Sequence, residues 1–236
     1  MTTVLITGAN RGLGLEFVRQ YQDEGLTIHA CCRTPDTATE LNALADASGG
    51  STRVHRMEVS DPSQVRAVAD ALKGVAIDRL INNAGILGTV IDQAENSAFG
   101  SVDYGVWEET LRINLLSPFR VCEAFAEHVA ASQEKLMVFV STHMASITEL
   151  GEGGFYPYRS SKAALNLVVK GLSIDLKERG IRTLALHPGW VKTDMGSEAA
   201  AVEIPDSITG MCAVIGGYGA PRTAEFINYD SSPIQW

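Results

Sequence analysis

Val4-Leu5-Ile6-Thr7-Gly8-Ala9-Asn10-Arg11-Gly12-Leu13-Gly14 runs from an apolar tetrad through three glycines into the start of a helix. Val4 to Thr7 reads as a short buried strand. Leu13, Phe17, Val18 and Tyr21 then recur at helical spacing until Gly25 stops the pattern. Glycines between a strand and a helix let the backbone turn tightly and approach a pyrophosphate, whose charge meets the helix N-terminus. The spacing here is G-x-x-x-G-x-G, and its strand-turn-helix setting points to dinucleotide binding rather than to a purely structural turn.

Outward from this stretch the same unit repeats. Strands are expected at Thr27 to Cys32, Val54 to Val59, Arg79 to Asn82, Leu136 to Val140, Thr183 to His187 and Glu225 to Tyr229. Between them lie helical patterns at Thr37 to Ala47, Pro62 to Leu72, Tyr104 to Ala130 and Tyr158 to Glu178, the last stopped by Gly180. Strands alternating with helices through short loops imply a parallel sheet covered on both faces. The expected fold is therefore α/β, a doubly wound parallel sheet of Rossmann type, forming a single domain over residues 1–236.

Composition narrows the function. A hydrophobic fraction of 45% and a charged fraction of 20% are those of an ordinary globular domain, and the formal net charge of -9 disfavours nucleic acid and anionic membranes as partners. Cys31, Cys32, Cys122 and Cys212 have no metal-ligand spacing, and Cys31 and Cys32 should point to opposite faces of their strand. With no basic or long apolar N-terminal segment, the expectation is a reduced cytoplasmic protein without a metal.

The end of the second strand selects the dinucleotide. An acidic residue there would grip the ribose 2′-hydroxyl of NAD, whereas arginine suits the 2′-phosphate of NADP. Arg33 stands at that point and Arg11 lies in the glycine turn beside it, so NADP is expected over NAD; Asp36 falls past the turn, where it can cap a helix. Tyr158 and Lys162 then fall four apart on one helix face. A phenol beside a fixed ammonium can pass a proton to or from an oxygen, the ammonium favouring phenolate.

These motifs resemble the short-chain dehydrogenases/reductases. Thr7 to Gly14 matches that family's T-G-x-x-x-G-x-G turn, and Asn82-Asn83-Ala84-Gly85 its N-N-A-G motif. Tyr158 and Lys162 match Y-x-x-x-K, and Pro188-Gly189-Trp190-Val191-Lys192-Thr193 matches P-G-x-V-x-T. Tyr158 to Asn166, His187 to Gly196, Tyr229-Asp230 and Trp236 are most similar to the C-factor-like and sniffer-like carbonyl reductases of the family. The resemblance implies hydride transfer between a nicotinamide and a small carbonyl or alcohol substrate, with Tyr158 as acid/base and Lys162 lowering its pKa and holding the ribose hydroxyls. It also implies a cofactor site built from Gly8, Asn10, Arg11, Gly12, Leu13, Gly14, Arg33, Glu58, Val59, Asn83, Ala84, Gly85, Tyr158, Lys162, Pro188, Gly189, Val191 and Thr193.

Two positions depart from the family pattern. Where the family has its substrate-orienting serine, this chain reads Val140-Ser141-Thr142-His143. Thr142 is aligned with the catalytic position, and Ser141 fills it if the register slips by one. The adenine-contacting aspartate is replaced by Glu58, followed by Val59. A fourth catalytic member, Asn114, lies where Pro118 has no N–H to offer the carbonyl four residues back, so the helix should bend there. In the family the matching asparagine seats a water that links the lysine to solvent. Met144, Phe155, Tyr156 and Trp190 are candidates for an apolar pocket, His143 for a polar lining, and about 194–217 for a short substrate lid. The many-sided apolar helix from Tyr158 suggests a homodimer or homotetramer. A dinucleotide-binding signalling or regulatory protein with little turnover is the rival reading.

Overall fold

The computed structural model describes residues 1–88 and 97–236, so part of the loop from Thr89 to Asp103 lies outside the described residues. The sheet is built outward from β1 (Thr3–Thr7), which pairs in parallel with β2 (Thr27–Cys32) on one side and β4 (Arg79–Asn82) on the other. β3 (Thr52–Arg56) lies outside β2. β5 (Leu136–Val140), β6 (Arg182–His187) and β7 (Glu225–Asn228) follow β4, every neighbour parallel. The order is 3-2-1-4-5-6-7 in a seven-stranded sheet. The order in which strands are added reverses between β1 and β4, and ligands of such sheets bind in the crevice beyond the strand ends there.

Both faces are covered, which is why the central strands are continuous apolar runs. Val4 and Ile6 meet Phe17, Val18 and Tyr21 of α1 (Gly12–Asp23), Leu41 of α2 (Thr39–Ala47), and Ile208, Met211 and Ile215 of α7 (Ile204–Gly216). On the other face Leu5 joins Val65 and Val68 of α3 (Pro62–Ala71), Val121 and Phe125 of α5 (Ser117–Ala130), and Leu165 and Val169 of α6 (Tyr156–Asp175). Each fully buried Leu, Ile, Val or Phe contributes roughly 1.5–3 kcal/mol. Cys31 and Cys32 do point into opposite layers, and all four cysteines are buried and free. Among the described residues no helix is long and apolar enough to cross a membrane, and no cluster of metal-ligating side chains occurs.

Where elements differ from expectation, a partner explains it. The third strand was expected to reach Val59 but pairs only to Arg56, opposite Cys32 at the end of β2; Met57 and Val59 continue the apolar pattern as buried loop residues. The helix expected from Tyr104 to Ala130 is interrupted. α4 (Tyr104–Leu111) passes into a π-helical segment, Arg112–Leu116, before α5. Pro118 denies Asn114 its usual donor, and the Ser117 N–H and hydroxyl both reach back to the Arg112 carbonyl, the hydroxyl at 2.8 Å. The helix expected over Thr37 to Ala47 is α2 preceded by a separate turn at Pro35–Thr37. α6 starts two residues before Tyr158, after Phe155 in a left-handed conformation (φ 49°). The stretch 194–217 divides: residues 194–198 line the cleft, whereas α7, beyond Ile204 at its start, packs into the core.

Candidate active site

A cleft of roughly 1110 Å³ runs along the carboxyl ends of β2, β1, β4, β5 and β6. It is lined by every residue expected from the sequence at the cofactor site, and by Ser141 and Thr142. Asn114 is fully buried behind the wall.

The glycine turn forms one end. Gly8 holds φ +66°, and a Cβ on Gly14 would sit 2.2 Å from the Gly8 carbonyl oxygen, so only glycine permits this close turn. Thr7 Oγ1 accepts from the Asn83 and Ala84 N–H groups, both at 3.0 Å, and Asn83 Nδ2 donates to the Thr7 carbonyl at 2.9 Å. The N-N-A-G segment is thereby clamped to the glycine turn. Arg11 at the N-cap of α1 makes no side-chain cap, so the donors of the first turn suit an anion. This cradle fits a dinucleotide pyrophosphate. Beyond the end of β2 Arg33 lies 3.6 Å from Glu58 and Arg56 is ion-paired with Asp36, while Arg11 of the glycine turn is ion-paired with Asp194. Glu58 also accepts from the Ser60 N–H at 3.1 Å and hydroxyl at 3.0 Å, which orients its carboxylate locally.

The other end holds the proton chemistry. Tyr158 and Lys162 project from the first turns of α6 into the cleft, and the Thr142 hydroxyl lies beside the Tyr158 phenol, near enough to act on its titration. Thr142 Oγ1 accepts the Met144 N–H at 3.2 Å, which fixes its rotamer. Ser141 turns inward instead: its hydroxyl donates to Asn166 Oδ1 at 2.7 Å and is buried. Lys162 Nζ donates to the Val140 carbonyl at 2.8 Å. Burial pushes the Tyr158 phenol up to about 12, against a smaller opposing effect of the Thr142 hydroxyl. Burial pulls the Lys162 ammonium down to about 8. Desolvation is thus the largest influence on the phenol, and it runs against the lowering expected from Lys162.

Asn114 braces the site from behind. Its amide exchanges two bonds with the Ile86 backbone, accepting the N–H at 2.8 Å and donating to the carbonyl at 2.7 Å, and it donates to Ser161 Oγ at 3.1 Å. Ser161 in turn donates to the Tyr158 carbonyl at 2.8 Å. Met144, Phe155 and Trp190 line the cleft as expected, together with His143; Tyr156 does not, and stacks on Trp107 with centroids 6.4 Å apart. His143 is bound to Glu149 at 2.5 Å and faces His187, which burial pulls down to about 4. Sequence reasoning missed Asp194, Ile86, Ser161 and Asn166. Asn166 had a signal, since Tyr158, Lys162 and Asn166 recur every four residues on an otherwise apolar helix.

A dinucleotide cleft in a doubly wound sheet, with a tyrosine and a lysine one helical turn apart at its floor, defines an oxidoreductase-type site. The model of the short chain dehydrogenase family matches residues 2–203, and this chain belongs to that family of NAD(P)-dependent oxidoreductases. It is 38% identical over 172 residues to C-signal of Myxococcus xanthus, a match covering 73% of this chain and 100% of that protein. Among solved structures it is similar to the carbonyl reductase Sniffer of D. melanogaster, with TM-score 0.89, 30% identity and 100% of each chain covered. It is similar also to the NADPH-bound carbonyl reductase from chicken fatty liver, with TM-score 0.88, 31% identity, and 100% of this chain and 99% of the other covered.

Proposed function

We propose that this chain is an NADP-dependent reductase of small carbonyl compounds. The observation that carries the reading is the convergence of Thr142, Tyr158 and Lys162 in the dinucleotide cleft. The bound dinucleotide would supply the hydride. As the substrate oxygen gains alkoxide character, Tyr158 gives it the phenolic proton and Thr142 donates a hydrogen bond to it. A phenol held near 12 is fully protonated at neutral pH, which suits the reducing direction. Lys162 orients the ribose hydroxyls and, with a water at the Asn114 carbonyl, returns the proton from solvent. Gly8, Asn10, Gly12, Leu13 and Gly14 hold the pyrophosphate. Asn83, Ala84 and Gly85 lie against the cofactor beside the glycine turn, Pro188, Gly189, Val191 and Thr193 wall the nicotinamide, and Val59 and Glu58 flank the adenine. Residues 194–203 serve as the substrate lid.

NADPH oxidation against a panel of aldehydes, ketones and quinones tests this; binding of NADPH with turnover of none of them would overturn it. The identity to C-signal favours one second reading, a dinucleotide-binding signalling protein with little turnover. NADP preference rests on Arg33 and Arg11, both well exposed at the adenosine end. Arg33→Asp should raise KM for NADPH about tenfold or more and lower that for NADH; unchanged constants for both would sink the assignment. Outward-facing Leu167 and Ile174 on α6, with Leu116 and Phe119, supply an apolar surface for two-fold association. Light scattering should give at least a dimer, and a monomeric mass at assay concentration would refute it.

A further inference from the structure

We infer that Arg56 is a positioning residue for cofactor specificity, acting by neutralising Asp36 beside the exit of β2; this rests on the NADP reading above. Arg56 ends β3 directly opposite Cys32, the last residue of β2. Its guanidinium reaches across that end to two partners: Nη1 donates to the Arg33 carbonyl at 3.4 Å, and Nη2 binds the Asp36 carboxylate. Asp36 is therefore held by a charge partner, three residues beyond the arginine expected to meet the 2′-phosphate. Neither Arg56 nor Asp36 lines the cleft, while Cys32, Arg33 and Thr34 do.

Stability does not account for the pair. Arg56 and Asp36 side chains are 51% and 81% exposed, and ion pairs so open to water add little to stability. What the pair controls is local charge. An uncompensated carboxylate at this strand end would repel a phosphate and accept a hydrogen bond from a 2′-hydroxyl, favouring NAD. The adenosine end holds three guanidiniums, Arg11, Arg33 and Arg56, each matched by a carboxylate, Asp194, Glu58 and Asp36. The Arg11 and Arg33 side chains line the cleft, where a phosphate can replace their carboxylate partners. Arg56 stands one layer back, so its partner stays. Its longer contact, to the Arg33 carbonyl, keeps the guanidinium over the end of β2 beside Asp36.

Kd values for NADPH and NADH, measured by calorimetry on the wild-type protein, Arg56→Gln, Asp36→Asn and the double variant, test this. Arg56→Gln should lower the NADPH-over-NADH affinity ratio about tenfold, chiefly by weakening NADPH. In the Asp36→Asn background the same replacement should change the ratio less than about threefold, because the carboxylate it restrains is gone. A merely structural role would weaken both cofactors alike, and that result, or an equal loss in the Asp36→Asn background, overturns the inference while leaving NADP preference intact. A wild-type protein that binds both cofactors equally overturns the NADP reading itself, and this inference with it.

Discussion

Tyr158→Phe is expected to reduce kcat for carbonyl reduction by about 10²–10⁴-fold, the range for loss of a positioned proton donor, while NADPH affinity and thermal stability stay close to wild type. The phenol lines the cleft with the Thr142 hydroxyl beside it. Removing the oxygen keeps the ring in place and leaves the Thr142 hydroxyl to orient a carbonyl that then lacks its acid. Because the phenol is held near 12, it stays protonated across the assay range, and the alkaline limit of the wild-type rate should come from Lys162 instead. That ammonium, pulled down to about 8, loses its charge as pH rises through that value, so kcat should decline above about pH 8. Turnover of Tyr158→Phe within tenfold of wild type would show that another group delivers the proton. Preserved biological output from a turnover-deficient Tyr158→Phe would favour the signalling reading.

The parts of this molecule legible in the sequence are those that local rules determine. The strand-glycine-helix grammar of Val4 to Gly14 needs only backbone geometry, and it placed the turn correctly. Pro118 announced the disturbance at Asn114 because a missing N–H is a property of one residue, although its form, a π-helical segment, depends on Ser117 supplying both of its donors to Arg112. Hydroxyl direction was not legible. Ser141 and Thr142 are adjacent and chemically alike, and partners elsewhere separate them, Asn166 on another element taking the Ser141 hydroxyl while Thr142 faces the cleft. The Arg56–Asp36 pair joins residues 20 apart in sequence through the register of β2 and β3, which no local pattern encodes. Depth was the remaining blind spot. Helix spacing brings Tyr158 and Lys162 together but is silent on how much water surrounds them, and burial reverses the direction expected for the phenol.

Lys162→Met is expected to lower kcat at least about 10²-fold and at the same time to make the ligand-free protein more stable at pH 7, by about 1–2 kcal/mol. The side chain is only 5% exposed, and its ammonium has the Val140 carbonyl as its partner. Its pKa falls from 10.5 to about 8 through desolvation, so folding makes the charged form less favourable. Between about 8 and 10.5 the unfolded chain binds more protons than the folded one, and stability rises with pH through that window. Below it the whole cost is present, on the order of a few kcal/mol. Methionine matches the length of the stem and removes the buried charge, although the Val140 carbonyl loses its donor and takes back about 1 kcal/mol. The denaturation midpoint of Lys162→Met should thus exceed that of wild type at pH 7, and the difference should shrink as pH approaches 10, where the wild-type lysine folds neutral. A gain that persists unchanged at high pH would assign it to packing rather than charge, and a loss of stability at pH 7 would refute the claim that this lysine is held in place for function against its own solvation.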